Sequence, residues 1–280
     1  MLSLHTNAAA LSTQGSLGKT QNALSTSMTR LGTGLRVNSA MDDAAGLQIA
    51  TRLNAQTRGM AVAQRNAQNG ISMLQTAEGA LDEVSNIVLR MKDLATEGAS
   101  GTATAKDLTA MKAEFDDLGN ELTNILTNTK FGGEALLAVG GKLELAAGVT
   151  FQIGSDKAET YKFDASTQVK AVATDVGLLK ANTFADSTTA NAAIDLANTV
   201  LDSVGAARAK LGAGANRLDH VNNNLQNMVT NVTQAKGRIM DTDYAKETSN
   251  MTTKQMLMQA SSSMLKQSNS MSGMVMSLLQ

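Results

Sequence analysis

The chain reads as a mainly α protein, with long coiled-coil-like helices from both chain ends packed together and a small β-hairpin region between them. Three observations predict this class. Apolar residues recur every seven positions over long stretches near both ends, with further apolar or small residues three places on. No Pro occurs among the 280 residues, so nothing interrupts a helix by removing a backbone donor. Only seven residues are aromatic, five Phe and two Tyr, so the core must be built from Ala, Leu, Ile, Val and Met.

The N-terminal segment places Leu24, Met28, Leu31 and Leu35 on one helical stripe, extended backwards by Leu17, Leu11 and Leu4. Gly32 and Gly34 then predict a bend or linker over residues 32 to 46. Over residues 47 to 97, Leu53, Met60, Ala67, Leu74, Leu81, Val88 and Ala95 keep a strict seven-residue register. Ala63, Gly70, Ala77, Val84 and Met91 follow three residues after most of them, a seam whose small residues allow close helix approach. Gly98 to Thr104 predicts a turn, and Leu108, Met111, Phe115, Leu118, Leu122 and Ile125 predict a second helix closing an antiparallel hairpin.

Over residues 131 to 165 the period changes to two. Leu143 and Leu145, then Val149, Phe151 and Ile153, then Tyr161 and Phe163 alternate, with turns at Gly140-Gly141 and Ser155-Asp156. Residues 166 to 190 read as irregular and polar. Helix returns with Val204, Leu211, Leu218, Leu225, Val232 and Ile239 in sevens, and again with Leu257, Met264, Met271 and Leu278. Seven of the sixteen Met residues lie between Met251 and Met276, where a flexible thioether suits an irregular apolar surface.

Charge narrows the function. The net charge of −1 argues against nucleic acid as a partner. Residues 1 to 41 hold Lys19, Arg30 and Arg36 and no acid, and residues 248 to 280 hold Lys254 and Lys266 and no acid. Ser, Thr, Asn and Gln fill both ends between the apolar positions, where a solvated surface helix would carry many more charges. Both ends are therefore expected to be surfaces meant to be covered. The simplest partners are each other and further copies of the chain. A lone end barely compensates its ordering entropy, so the ends are expected to order fully only on assembly.

No Cys is present, so neither a disulfide nor a Cys-based metal site can form. No apolar run is long enough to cross a membrane, and the start of the chain lacks the pattern of a secretory signal peptide. His5 and His220 are far apart and lack a ligand context. Asp42 and Asp43 are adjacent, so they point to different sides of a helix; a structural role, pairing with Arg30, Arg36 or a neighbouring subunit, is expected. Gly212-Ala-Gly214 resembles a phosphate loop only superficially, since no strand precedes it and no Lys-Ser follows. No cofactor, metal or catalytic residue is expected.

Three long motifs carry a resemblance to bacterial flagellins. TRLGTGLRVNSAMDDAAGLQIATRL, from Thr29 to Leu53, and RNAQNGISMLQTAEGALDEVSNI, from Arg65 to Ile87, resemble the family's N-terminal signature. GRIMDTDYAKETSNMTTKQMLMQA, from Gly237 to Ala260, resembles its C-terminal one. The resemblance covers about residues 1 to 135 and 190 to 280. It implies that residues 1–45 and 241–280 form the two halves of an inner terminal-helix domain, the first with its linker. Residues 46–130 and 191–240 would supply the helices of a rod domain, and residues 131–190 its β-hairpin region and connection. Large outer domains, common in the family, have no room here. Where the family often has Pro in a QANQxPQ stretch, this chain has QSNSMSG.

The implied function is a non-enzymatic structural subunit that polymerises into the flagellar filament for motility, secreted through the flagellar type III apparatus and located outside the cell. A hook–filament junction protein, with related ends, is the alternative. The filament interface would run along Leu4, Leu11, Leu17, Leu24, Met28, Leu31, Leu35, Leu257, Met264, Met271 and Leu278. Implied partners are further copies, an export chaperone, the filament cap and hook–filament junction proteins, with no nucleic acid and no membrane insertion. Arg90, Leu94 and Glu114 match the residues that the animal flagellin receptor contacts, although Leu89 and Asp93 depart from the common Gln and Glu. Thr29 to Ala50 resembles the epitope of the plant flagellin receptor, with Met41 where Lys is common.

Overall fold

A computed structural model describes residues 7–277, with side chains to residue 271; the expected positions Leu4 and Leu278, and His5, lie outside the described residues. The order of elements is α1 (Ala8–Thr33), α2 (Ala44–Ala99), α3 (Ala105–Asn128), β1 (Lys130–Phe131), β2 (Glu134–Ala135), β3 (Val149–Gln152), β4 (Thr160–Phe163), α4 (Ser166–Lys180), α5 (Ser187–Met240) and α6 (Tyr244–Ser277). The mainly α class with two small antiparallel hairpins is as the sequence predicts. Two compact units divide the chain, one of Gln56–Thr230 and one of Met1–Ala55 with Asn231–Gln280; α2 and α5 contribute residues to both.

The seven-residue register of α2 is the spine of the Gln56–Thr230 unit. Met60, Ala67, Leu74, Leu81, Val88 and Ala95 are all buried, as are Ala63, Ala77, Val84 and Met91 three residues on. Val204, Leu211 and Leu218 of α5 join the same core. The helices run antiparallel, as shown by Arg208 meeting both Glu78 and Asp82 at 2.8 Å while Gln64 bonds Gln226 at 2.9 Å. Gly214, in the stretch that superficially resembles a phosphate loop, has a packing role. A Cβ there would come within 2.5 Å of the Phe163 ring, so only glycine lets β4 approach α5 this closely. α3 folds back on α2, with Arg90 bonded to Glu114 at 2.8 Å. Its start is a reciprocal cap, Thr104 Oγ1 accepting from the Asp107 N–H while Asp107 accepts from the Thr104 N–H.

Two expectations are corrected in the middle of the chain. Leu143 and Leu145 are not in a strand; they lie in turns, Leu143 buried beside Leu136 and Leu137, Leu145 exposed. Alternation over three residues was too short to distinguish a strand from a loop that tucks in one side chain. Further on, β3 and β4 pair as read, Val149 opposite Phe163 and Phe151 opposite Tyr161. Residues 166 to 180 are not irregular but helix α4, which buries Val169, Val172, Val176 and Leu179. Their spacing of three, four and three is helical, but three of the four are β-branched and mask the signal. Asp164 starts this helix, accepting from the Ser166 N–H at 3.0 Å and its hydroxyl at 2.7 Å. That hydroxyl and N–H hold the Asp164 carboxyl below its ordinary range.

The turn between α4 and α5 contains Phe184, a left-handed residue with φ 43°. Bulky side chains avoid this region. Here the ring is fully buried, stacked 5.2 Å from Phe115, and a Cβ on Gly98 would fall 2.5 Å from it. Aromatic stacking and burial offset the backbone cost at that one point. Because Leu74 is fully buried at the centre of the seam, Leu74→Ala should lower unfolding stability by about 2–5 kcal/mol. Chemical denaturation followed by circular dichroism measures it, and a loss under about 1 kcal/mol would contradict the packing described.

Candidate interaction surface

The second unit is built from both ends of the chain. α1 ends at Gly34, whose φ of 74° forms a left-handed cap with its N–H bonded to the Arg30 carbonyl at 2.9 Å. The chain then crosses to the other end. Arg36 donates its N–H to the Met240 carbonyl and its guanidinium to the Ile239 carbonyl, both at 2.6 Å, while the Thr242 N–H bonds the Gly34 carbonyl at 2.9 Å. Leu35 and Asp241 form an isolated antiparallel bridge. Val37, Ala50 and Met240 are buried beneath this clasp, with Leu35, Leu47 and Ile239 packed against them.

The two expected carboxylates separate as adjacent residues should. Asp42 accepts from the Ser39 N–H at 2.9 Å and the Asn38 N–H at 3.0 Å, with Arg30 4.0 Å away. Asp43 instead caps α2, accepting from the Gly46 N–H at 2.8 Å. Arg36 pairs with neither, since the α5 carbonyls hold it. Among the described residues, no group of three His, Asp or Glu side chains could hold a metal, and no helix is long and apolar enough to cross a membrane.

Beyond the clasp, α1 and α6 lie side by side and antiparallel. Asn7 bonds Ser268 at 3.1 Å at one end, and Lys254 bonds Ser27 at 2.8 Å further along. Among the covered positions, which also include Ala23, Arg30 and Ser262, run two matching series. On α1 they are Ala10, Thr13, Leu17, Thr20, Leu24, Ser27 and Leu31; on α6 they are Glu247, Met251, Lys254, Met258, Ser261, Leu265 and Ser268. Both step by three and four throughout, the spacing of a two-helix seam. Sequence reading missed the α6 series because four of its seven positions are polar or charged. The available signal was the spacing Met251, Met258, Leu265, in register with those polar positions.

The seam's threonine hydroxyls are satisfied within their own helix, and Ser27 and Ser268 across to the other. Thr13 donates to the Ala9 carbonyl at 2.8 Å and Thr20 to the Ser16 carbonyl at 2.9 Å. Lys254 reaches across to Ser27, which is fully buried, and to the Ala23 carbonyl at 3.3 Å. Pairs of this kind specify register rather than strength. The wholly apolar stripe expected on α6 lies outside the seam with α1: Leu257, Met264 and Met271 are each more than half exposed, as is the neighbouring Met256. The expected α1 stripe divides. Leu17, Leu24 and Leu31 belong to the seam, Leu11 and Met28 stand exposed, and Leu35 lies past the helix in the clasp.

In the other unit, Arg90 and Glu114 form an exposed pair and Leu94 is buried at 3% exposure. Leu94 thus supports that face from beneath, while Leu89 stands exposed beside the pair.

The family model of the bacterial flagellin N-terminal helical region matches residues 4–140, and that of the C-terminal helical region matches residues 192–279. A flagellin from Halalkalibacterium halodurans is 38% identical over 275 residues, 98% of each chain. Flagellin C of Vibrio cholerae is 33% identical over 374 aligned positions, 99% of each chain, so it contains segments this shorter chain lacks. A solved structure described as a flagellar hook-associated protein of Vibrio parahaemolyticus covers 71% of this chain with a TM-score of 0.56 and 18% identity, a likeness of fold alone.

The clasp generates a pH dependence. The Ser39 and Asn38 N–H groups, then the Ser39 hydroxyl and the Arg30 charge, hold the Asp42 carboxyl below its ordinary value of 3.8. A depressed carboxylate stabilises the fold above its unfolded pKa, and that contribution is lost as pH falls through the folded value. Amide exchange at Asn38 and Ser39, corrected for its intrinsic pH dependence, should therefore quicken below about pH 4. Asp42→Asn should abolish that change; protection unchanged down to pH 2 in the unsubstituted chain would refute it.

Proposed function

This chain belongs to the bacterial flagellin family, and from that membership we propose that its subunits join chiefly through the uncovered apolar side of the α1–α6 pair. Flagellins are structural proteins rather than enzymes, and the chain is a subunit of the flagellar filament. The observation that carries the proposed interface is the stripe of Leu257, Met264 and Met271, exposed on α6 while a different seam meets α1. Burying one such side chain contributes about 1.5–3 kcal/mol, so a repeated stripe is a strong reason to associate. The surrounding Ser and Thr residues carry little penalty on burial. Thr26 and Thr29 on α1, and Thr252 and Thr253 on α6, already donate to their own helix carbonyls.

Copies stacked through this side form the inner tube of the filament, and the Gln56–Thr230 units of neighbouring copies pack laterally. The chain is exported through the flagellar apparatus, with the α6 stripe held by an export chaperone beforehand. The filament cap and hook–filament junction proteins meet the same terminal helices. Animal receptors would read the face carrying Arg90 and Glu114, with Leu94 supporting it, and plant receptors the segment around Thr29 to Ala50. Identity of 33–38% to flagellins over nearly the whole chain favours the filament subunit over the junction adaptor.

Deleting residues 251–280 should leave a folded Gln56–Thr230 unit that cannot polymerise. Met264→Asp should raise the critical concentration for seeded filament growth about a hundredfold or more, because an unpaired carboxylate would be buried at every contact. Its circular dichroism as a monomer should be unchanged. Electron microscopy and sedimentation after seeding decide both; normal filaments from either variant would place the interface elsewhere.

A further inference from the structure

The uncovered surface of the α1–α6 pair has a chemical property that packing does not require. Five methionines among the described residues are more than half exposed, and four of them, Met28, Met256, Met264 and Met271, stand on α1 and α6. The fifth, Met41, is 97% exposed in the linker before α2. By contrast Met60 and Met91 are 1% and 0% exposed in the α2 core. Leu257 shows that Leu also serves on this stripe, so shape does not demand sulfur at the neighbouring positions.

We propose that these four residues make the unassembled subunit a target of hydroperoxides, and that oxidation removes it from the pool able to polymerise. The proposal rests on the interface assigned above. A thioether sulfur attacks the terminal peroxide oxygen; an S–O bond forms and the O–O bond breaks. The proton of the attacked oxygen passes to the departing one, giving sulfoxide and water from hydrogen peroxide, or an alcohol from an organic hydroperoxide. Sulfur loses two electrons and the peroxide gains them. The product is a polar, chiral group in place of an apolar one, which disrupts Met-rich contacts. Exposure selects which sulfurs react, and burial between copies protects them once a subunit is incorporated. Oxidation thus acts on free chains and spares the finished polymer.

The test is competition within one sample. Monomer oxidised by hydrogen peroxide to about one sulfoxide per chain is seeded with sheared filaments, and growth is stopped at half incorporation. Mass spectrometry of peptides then compares sulfoxide at each position in incorporated and remaining chains. At Met264 and Met271 it should be enriched about tenfold or more in the remaining chains, and at Met41 it should be equal in both. Equal sulfoxide at every position would overturn the proposal. So would enrichment at Met41 alone, or failure of peroxide to oxidise the four ahead of Met60 and Met91. A variant with all four changed to Leu should grow equally fast with and without peroxide treatment, whatever its own untreated rate; continued sensitivity would overturn the proposal as well. Met264→Asp separates the two claims. If that variant grows normally, the interface itself is misplaced; if it fails to grow while oxidised chains incorporate freely, only the oxidation proposal falls.

Discussion

The structure depends on how two helices from opposite ends of the chain can lie together with so few charges and so few large apolar groups. The answer is local hydroxyl satisfaction. A Thr or Ser that donates to a carbonyl four residues back can be covered without leaving an orphaned polar atom, as Thr13 and Thr20 do on α1. The helices can then present small polar residues to one another and reserve their larger apolar groups for two uses. Leu17, Leu24 and Leu31 meet Met251, Met258 and Leu265 in the seam, while Leu257, Met264 and Met271 stay outside. Two seam positions are nonetheless charged: Lys254 is bonded across to Ser27, while buried Glu247 keeps one carboxylate oxygen without a hydrogen-bond partner.

The Gln56–Thr230 unit solves a different problem with different means. Its seam is almost entirely apolar, its small residues admit close neighbours, and its aromatic side chains are concentrated where helices meet the β4 strand and the α4–α5 turn. Gly214 against Phe163, and Gly98 against Phe184, show the same device at two places: a missing side chain makes room for a ring. The resulting core reaches from Ala67 to Leu218 and needs no second copy of the chain. One unit is therefore self-sufficient in its packing, while the other keeps an apolar side in reserve.

Much of this was legible beforehand because period and composition agreed. The α2 register from Met60 to Ala95 predicts its buried face almost residue by residue, and Gly34 marks the end of α1. What escaped prediction has physical causes. Helix α4 is written in valines, which favour strands when judged alone, and only tertiary packing against α3 settles it as helix. The α6 seam is written largely in Ser, Lys and Glu, which a hydrophobicity pattern cannot register. The clasp at Arg36 and the cap by Asp42 each pair a side chain with backbone groups, and those backbone partners carry no residue signature. The repeat at Leu257, Met264 and Met271 was readable as a stripe, but which apolar residues of α1 and α6 meet each other was not, because an apolar residue on a helix does not say whether its partner is in the same chain.

The clasp has one more consequence, and it concerns the order of synthesis. Gly34 and Arg36 are bonded to residues near position 240, about two hundred residues later in the chain. Every residue of the Gln56–Thr230 unit has been added to the chain before the first residue of α6 is made. The N-terminal helix, by contrast, has no partner until α6 has been made. Long-range closure of this kind is slow. A growing chain thus carries α1 unmatched until α6 follows, and the unit joining both helices forms after the Gln56–Thr230 unit can.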